Sequence, residues 1–163
     1  MKSINELFSF KGKVIIITGG AGAIGGAAGH LFASLGAHVV ISDINESGAV
    51  ALAAEIEKES GVPTLGIKTD CTNEKELEVL VSATIKKFGK ISGLVNNVGW
   101  GAATPIWGSD STKMVNSYLL NTVGAYNLTK LCMPYLEKEQ NASVVFSGSL
   151  VGVTPSPEFI EYS

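Results

Sequence analysis

The feature that most constrains this chain is the run Val14-Ile15-Ile16-Ile17-Thr18-Gly19-Gly20-Ala21-Gly22-Ala23-Ile24-Gly25-Gly26. Its apolar first half does not alternate with polar residues, so it reads as a strand buried on both faces, as in a parallel sheet. The small residues that follow let the backbone turn tightly and approach a ligand closely. A helical pattern comes next. The turn therefore presents the free N–H groups and positive dipole end of a helix, where a phosphate can sit. A sheet buried on both faces needs helices on both, which requires strands and helices to alternate.

The rest of the chain meets that requirement. The helix after the turn carries Ile24, Ala27, Ala28, Leu31, Phe32 and Leu35 at helical spacing, predicting one apolar face, and Gly36 ends it. Val39-Val40-Ile41 is a second buried strand that ends at Ser42-Asp43. Asn45 caps a helix that buries Ala49, Leu52, Ala53 and Ile56 and ends near Gly61. Thr64 to Thr69 is a third strand, ending at Asp70. Asn73 with Glu76 forms a capping box for a helix with Leu77, Leu80, Val81, Ile85 and Phe88, which stops at Gly89. Ile91 to Asn96 is a fourth strand.

A loop runs from Asn97 to about Ser109, with Trp100 and Trp107. A long helical pattern then extends to about Glu139 through Met114, Val115, Tyr118, Leu119, Val123, Leu128, Leu131 and Leu136, with Pro134 loosening its last turns. Val144 to Phe146 is a fifth strand, and a loop from Ser147 to Ser163 closes the chain. This pattern predicts an α/β protein with a doubly wound parallel sheet, in one domain spanning residues 1–163.

Composition excludes several classes. With 45% apolar and 17% charged residues, the 163-residue chain can bury a proper core and is no disordered tail. A net charge of −3 without any basic block disfavours nucleic acid or an acidic membrane surface as partner. No stretch has the apolar length of a membrane span. Met1 to Phe10, interrupted by Lys2, Asn5 and Glu6, has no signal-peptide core. Cys71 and Cys132 share no motif spacing and read as reduced thiols of a cytoplasmic protein, without a role. No metal ligands are assigned.

The glycine-rich turn by itself is also consistent with a tight structural connection. Asp43 makes it more specific. It lies 18 residues after Gly25, at the end of the second strand, where the dinucleotide-binding pattern places an acid that accepts hydrogen bonds from a ribose. A carboxylate there repels a 2′-phosphate, and the turn contains no Arg or Lys. Both facts favour NAD over NADP. Alone, Asp43 would serve as well as a turn-forming residue at a strand end.

On these residues the sequence resembles the short-chain dehydrogenases/reductases. Their fingerprint is Thr-Gly-x-x-x-Gly-x-Gly; Thr18, Gly19 and Gly25 match it, and Ala23 replaces the middle glycine. One added methyl group there implies weakened rather than abolished pyrophosphate binding. Asn96-Asn97-Val98-Gly99 matches the family's Asn-Asn-Ala-Gly, which braces the central sheet and lines the adenosine side of the pocket. Asp70 matches the acid that meets the adenine ring. Asn121, in Leu120-Asn121-Thr122-Val123-Gly124, matches the active-site asparagine. Ser149 and Tyr162 are 13 residues apart, the spacing of the catalytic serine and tyrosine, with Gly152 and Pro155 between them.

Each of these residues has an ordinary structural reading when taken singly. Taken together, in this order and at these strand ends, they are specific. The resemblance implies a Rossmann fold with catalytic Asn121, Ser149 and Tyr162. It implies a cofactor site of Thr18, Gly19, Ala23, Ile24, Gly25, Asp43, Ile44, Asp70, Cys71, Asn97, Val98 and Gly99. It also implies NAD as cofactor, a small-molecule substrate, and, at full length, a homo-oligomer paired through the long helix and the one after it.

Hydride transfer at a secondary alcohol carbon must be matched by proton transfer at its oxygen. A tyrosine serves as acid or base only when its pKa is pulled down from about 10. In the family, a lysine four residues after the tyrosine does this. Here the chain ends at Ser163, so that lysine is absent. At a pKa near 10 only about one tyrosine in a thousand is ionised at pH 7, a penalty of roughly 4 kcal/mol. The expectation is a truncated member, covering the N-terminal part of the family fold, with little or no activity and an open edge at its fifth strand.

Within the family, Val39 to Asn45 and the Trp100-Gly101 loop look most like bacterial 7-alpha-hydroxysteroid dehydrogenases. Acyl-carrier-protein ketoreductases and sugar-alcohol dehydrogenases are close rivals. Trp100, Ala102, Ala103, Leu150, Val151 and Val153 make the expected substrate loops apolar and free of Arg or Lys, which favours a bulky apolar substrate. A non-catalytic dinucleotide-binding module is the reading from a different class. A methyltransferase-like sheet is a third, against which the Ser149–Tyr162 spacing argues.

Overall fold

The computed structural model describes residues 8–101 and 103–162, so the readings placed on Lys2, Asn5, Glu6, Ala102 and Ser163 lie outside it. Five parallel strands form one sheet: β1 (Val14–Thr18), β2 (His38–Asp43), β3 (Thr64–Lys68), β4 (Gly93–Asn96) and β5 (Ser143–Phe146). Their order is β3-β2-β1-β4-β5, so the winding reverses direction between β1 and β4. The helices are α1 (Ala23–Ser34), α2 (Glu46–Ser60), α3 (Glu74–Phe88), α4 (Ser111–Tyr118) and α5 (Ala125–Leu136).

Alternation along the central strands divides the core in two. Val14, Ile16, Val40 and Leu94 pack with Leu77, Leu80, Leu128 and Cys132, beneath α3 and α5. Ile15, Ile17, Val39 and Ile41 pack with Ala33, Ala49, Ala53 and Ile56, beneath α1 and α2. Every residue of β1 is buried, as a strand covered on both faces must be. β5 is the outer strand beyond β4, and Val145 and Phe146 on it are 50% and 59% exposed.

Three local expectations need correction. The face of α1 that meets the sheet is Gly25, Gly26, Gly29 and Ala33, while Ile24, Ala27 and Leu31 point outward, with Ile24 75% exposed. A Cβ on Gly29 would already lie 3.0 Å from Ile41 and Ile56 side chains, so the helix sits too close to the sheet for larger residues. The Asn73–Glu76 box does not form reciprocally. Asn73 accepts from the Lys75 N–H, but the Glu76 carboxylate accepts from the Asp70 N–H at 2.8 Å, tying the β3 exit to α3. The long helical pattern is broken into α4, a π-helical turn at Leu119–Gly124, and α5, which runs through Pro134 and ends at Leu136. Met114, Val115, Tyr118 and Leu119 on its first half are exposed rather than packed.

Other signals hold. Asn45 accepts the Gly48 N–H at the start of α2, and Gly61 and Gly89 end α2 and α3 in the left-handed conformation. Among the described residues, no helix is long and apolar enough to cross a membrane.

Candidate active site

The residues singled out from the sequence gather at the carboxyl ends of the strands, where the winding reverses and doubly wound sheets bind their ligands. Gly19, just after β1, has φ +61, and a Cβ on it would lie 3.1 Å from the Val98 Cα. A Cβ on Gly25 would fall 2.4 Å from the Gly19 carbonyl oxygen. The turn therefore folds on itself only with glycine at both places. Gly22 caps α1 without a side-chain hydrogen bond, and the first turn holds no acid. Its N–H groups are thus open to an anion. Ala23 and Ile24, at the start of α1, are exposed on this rim.

Thr18 and Asn97 lock the turn to β4. The Thr18 Oγ1 accepts from the Asn97 and Val98 N–H groups at 3.0 and 3.1 Å. The Asn97 Nδ2 donates to the Thr18 carbonyl at 3.1 Å. The Ser147 hydroxyl, which the sequence reading missed, donates to the Asn97 Oδ1 at 3.2 Å and carries the brace on to β5. Asp43 does double duty. Its Oδ2 accepts from the Ala21 N–H and its Oδ1 from the Asn45 N–H, each at 3.0 Å. The remaining lone pairs on both oxygens stay open to ligand hydroxyls.

A cavity of about 280 Å³ opens beside the turn, lined by Gly19, Asp43, Ile44, Asp70, Cys71, Val98 and Gly99, together with Trp100. Asp70 turns the chain into α3 by accepting from the Thr72 N–H and hydroxyl. Burial, and then the nearby charges of Asp70, Asp43 and Glu76, push the Cys71 thiol up to about 12, so it contributes wall rather than reactivity. Burial alone does the same to Cys132. The donor turn, the Asp43 carboxylate and this slot suit a dinucleotide.

A second cavity, of about 180 Å³, shares Val98 and Gly99 with the first and is lined by Asn121, Ser149 and Tyr162. These three come from the π-helical turn, the loop after β5 and the end of the described chain. The Tyr162 hydroxyl lies 3.9 Å from where a Gly99 Cβ would be. The Tyr162 ring covers Gly101, whose Cβ would come within 2.6 Å of it. Asn121 is engaged in a backbone clamp. Its Oδ1 accepts from the Trp100 N–H at 2.9 Å, and its Nδ2 donates to the Trp100 carbonyl at 2.8 Å and to Ser117 Oγ at 3.1 Å. Ser149 Oγ accepts from the Val151 N–H at 3.3 Å. No Lys or Arg stands in this wall.

Of the expected substrate-loop residues, Ala103, Leu150, Val151 and Val153 line neither cavity, and Leu150 and Val153 are exposed. The sequence reading also missed Gly101 and Gly124. A Cβ on Gly124 would lie 2.4 Å from the Cys71 carbonyl oxygen. The signal in each case is a glycine with no turn to make.

Residues 13–163 match the family model described as short chain dehydrogenase. The chain belongs to the short-chain dehydrogenase family. It is 35% identical to L-fucose dehydrogenase of Mus musculus over 154 residues, covering 94% of this chain and 54% of that one. It is 32% identical to 7α-hydroxysteroid dehydrogenase of Escherichia coli (strain K12), covering 93% and 59%. A solved 7α-hydroxysteroid dehydrogenase complexed with NADH and 7-oxo glycochenodeoxycholic acid has the same fold, with a TM-score of 0.92 at 31% identity, over 99% of this chain and 62% of that one. The chain thus spans little more than half the length of these short-chain dehydrogenase relatives.

Proposed function

We propose that this chain is the dinucleotide-binding part of an NAD(H)-dependent oxidoreductase that interconverts a secondary alcohol and a ketone. The observation that carries this reading is that the Asp43–Asp70 cavity and the one lined by Asn121, Ser149 and Tyr162 share Val98 and Gly99 in their walls. In this reading the glycine turn and the N–H groups opening α1 hold the pyrophosphate. Asp43 reads the ribose hydroxyls and disfavours a 2′-phosphate. A nicotinamide dinucleotide bound there supplies the hydride acceptor or donor. Ser149 holds the substrate oxygen, and Tyr162 exchanges its proton. Asn121 fixes the Trp100 backbone at the wall of the cofactor cavity.

The substrate we favour is bulky and apolar, such as a hydroxysteroid, a reading supported by the similarity to 7α-hydroxysteroid dehydrogenases. The absence of a cation from the wall around Tyr162 leads us to expect cofactor binding without useful turnover in the 163-residue polypeptide.

The test pairs an NADH titration with an NAD+-linked assay on a panel of hydroxysteroids, sugar alcohols and 3-hydroxyacyl thioesters. The 163-residue polypeptide is expected to bind NADH and to turn over none of them. Hydroxysteroid turnover abolished by Tyr162→Phe would uphold the chemistry and overturn the expectation of inactivity. Absence of NADH binding would overturn the whole reading.

A further inference from the structure

His30 on α1 faces Glu55 and Glu59, which lie one turn apart on α2. Its Nδ1 is 3.0 Å from Glu59 Oε2, and its Nε2 is 3.9 Å from Glu55 Oε1. The three meet because the two helices pack closely beside them. A Cβ on Gly29 would lie 3.0 Å from the Ile56 side chain, and Ile56 is buried. His30 follows the contact residue of α1, and Glu55 precedes that of α2. The group forms only in the fold, so no motif spacing announces it. One donor atom from each residue, an imidazole nitrogen and two carboxylate oxygens, lies within 4.8 Å of the other two. Ligands about 2.1 Å from one ion stand up to about 4.2 Å apart, so closing on an ion asks for less than about 1 Å of movement. The three side chains are 37%, 59% and 58% exposed, so packing does not oppose that movement.

These features select among ligands. With the imidazole neutral, as ligation requires, the two carboxylates leave the set negatively charged. Among the described residues no Lys or Arg forms an ion pair with either of them. An anion is therefore repelled. Hard cations such as Mg²⁺ and Ca²⁺ prefer oxygen ligands throughout and gain little from a ring nitrogen. A divalent ion of intermediate softness takes imidazole nitrogen and carboxylate oxygen together, and three protein ligands leave it a position for water. The competitor is a proton on His30, which a metal must displace. We infer that His30, Glu55 and Glu59 bind a divalent transition-metal ion of the zinc type, which ties α1 to α2. The inference does not depend on the dehydrogenase reading.

The test is calorimetric titration and thermal unfolding of the 163-residue chain with Zn²⁺, against Mg²⁺ at matched ionic strength. His30→Gln and Glu59→Gln are compared with Glu46→Gln, which removes an exposed carboxylate elsewhere on α2. The wild type should bind a single Zn²⁺ with a Kd of about 100 µM or tighter. At roughly ten times that Kd, Zn²⁺ should raise Tm by about 3 °C or more, and Mg²⁺ at the same concentration should not. His30→Gln and Glu59→Gln should each weaken Zn²⁺ binding at least about tenfold. Glu46→Gln should bind as the wild type does. An equal response to Mg²⁺, undiminished binding by His30→Gln or Glu59→Gln, or no wild-type binding at about 100 µM Zn²⁺ would overturn the proposal. Should a variant fail to fold, imidazole nitrogen NMR shifts on the wild-type chain decide. A Zn²⁺-dependent shift at His30 larger than at His38 supports the site. A shift at His38 as large, or none at either, overturns it.

Discussion

At Gly25 a missing methyl group keeps the turn closed, because a Cβ would stand 2.4 Å from the Gly19 carbonyl. Gly25→Ala should cost about 1–3 kcal/mol of stability, as overpacking does, and weaken NADH binding by tenfold or more. Urea unfolding and NADH fluorescence titration measure the two effects. Asn121 gives a different expectation, because its amide is spent on the Trp100 backbone. Asn121→Ala should speed hydrogen exchange at the Trp100 amide and change NADH affinity less than Gly25→Ala does. An unchanged exchange rate would contradict the clamp. Motif spacing made Thr18, Asn97 and Asp43 legible in the sequence. It could not reveal that Asp43 also holds the Ala21 and Asn45 N–H groups, because those bonds depend on how the turn folds back over β2.

Among the elements, the strands and the helix caps were the most legible, since apolar runs and capping residues are local signals. α1 was misread because apolar periodicity identifies a buried face only when neighbours stand at ordinary distance. Here the close approach to Ile41 and Ile56 selects glycine instead. The π-helical turn that presents Asn121 leaves no periodic signature. The amino ends of β1 and β4 are tied together, away from the site, by Glu139. It accepts from the Ser92 hydroxyl at 2.9 Å and pairs with Lys90 at 3.1 Å and Lys13 at 3.6 Å. The Ser92 hydrogen bond, then Lys90, hold its carboxyl below the ordinary 4.5. Because the folded value is the lower one, this contribution is present at neutral pH and is lost as pH falls through it. Glu139→Gln should therefore lower Tm at pH 7 and flatten the fall of Tm below pH 4.5. A parallel acid limb in wild type and variant would exclude this role.

For the whole molecule, β5 is an outer strand with one edge unpaired among the described residues, and Val145 and Phe146 on it are half exposed. Such an edge invites pairing between chains. Sedimentation should show self-association that rises with concentration, and Val145→Lys, a charge on the edge strand, should reduce it. Equal self-association of the two proteins would place the contact elsewhere. The turn after β1, Asp43 and the adjoining slot are proposed to form an NAD site. The most direct test is NADH titration of the 163-residue chain and its Asp43→Ala variant, with NADPH as comparison. Saturable NADH binding by the wild type is expected, with weaker NADPH binding and a loss of at least about tenfold in NADH affinity in the variant. Equal affinity of wild type and variant for NADH, or tighter binding of NADPH by the wild type, would contradict it.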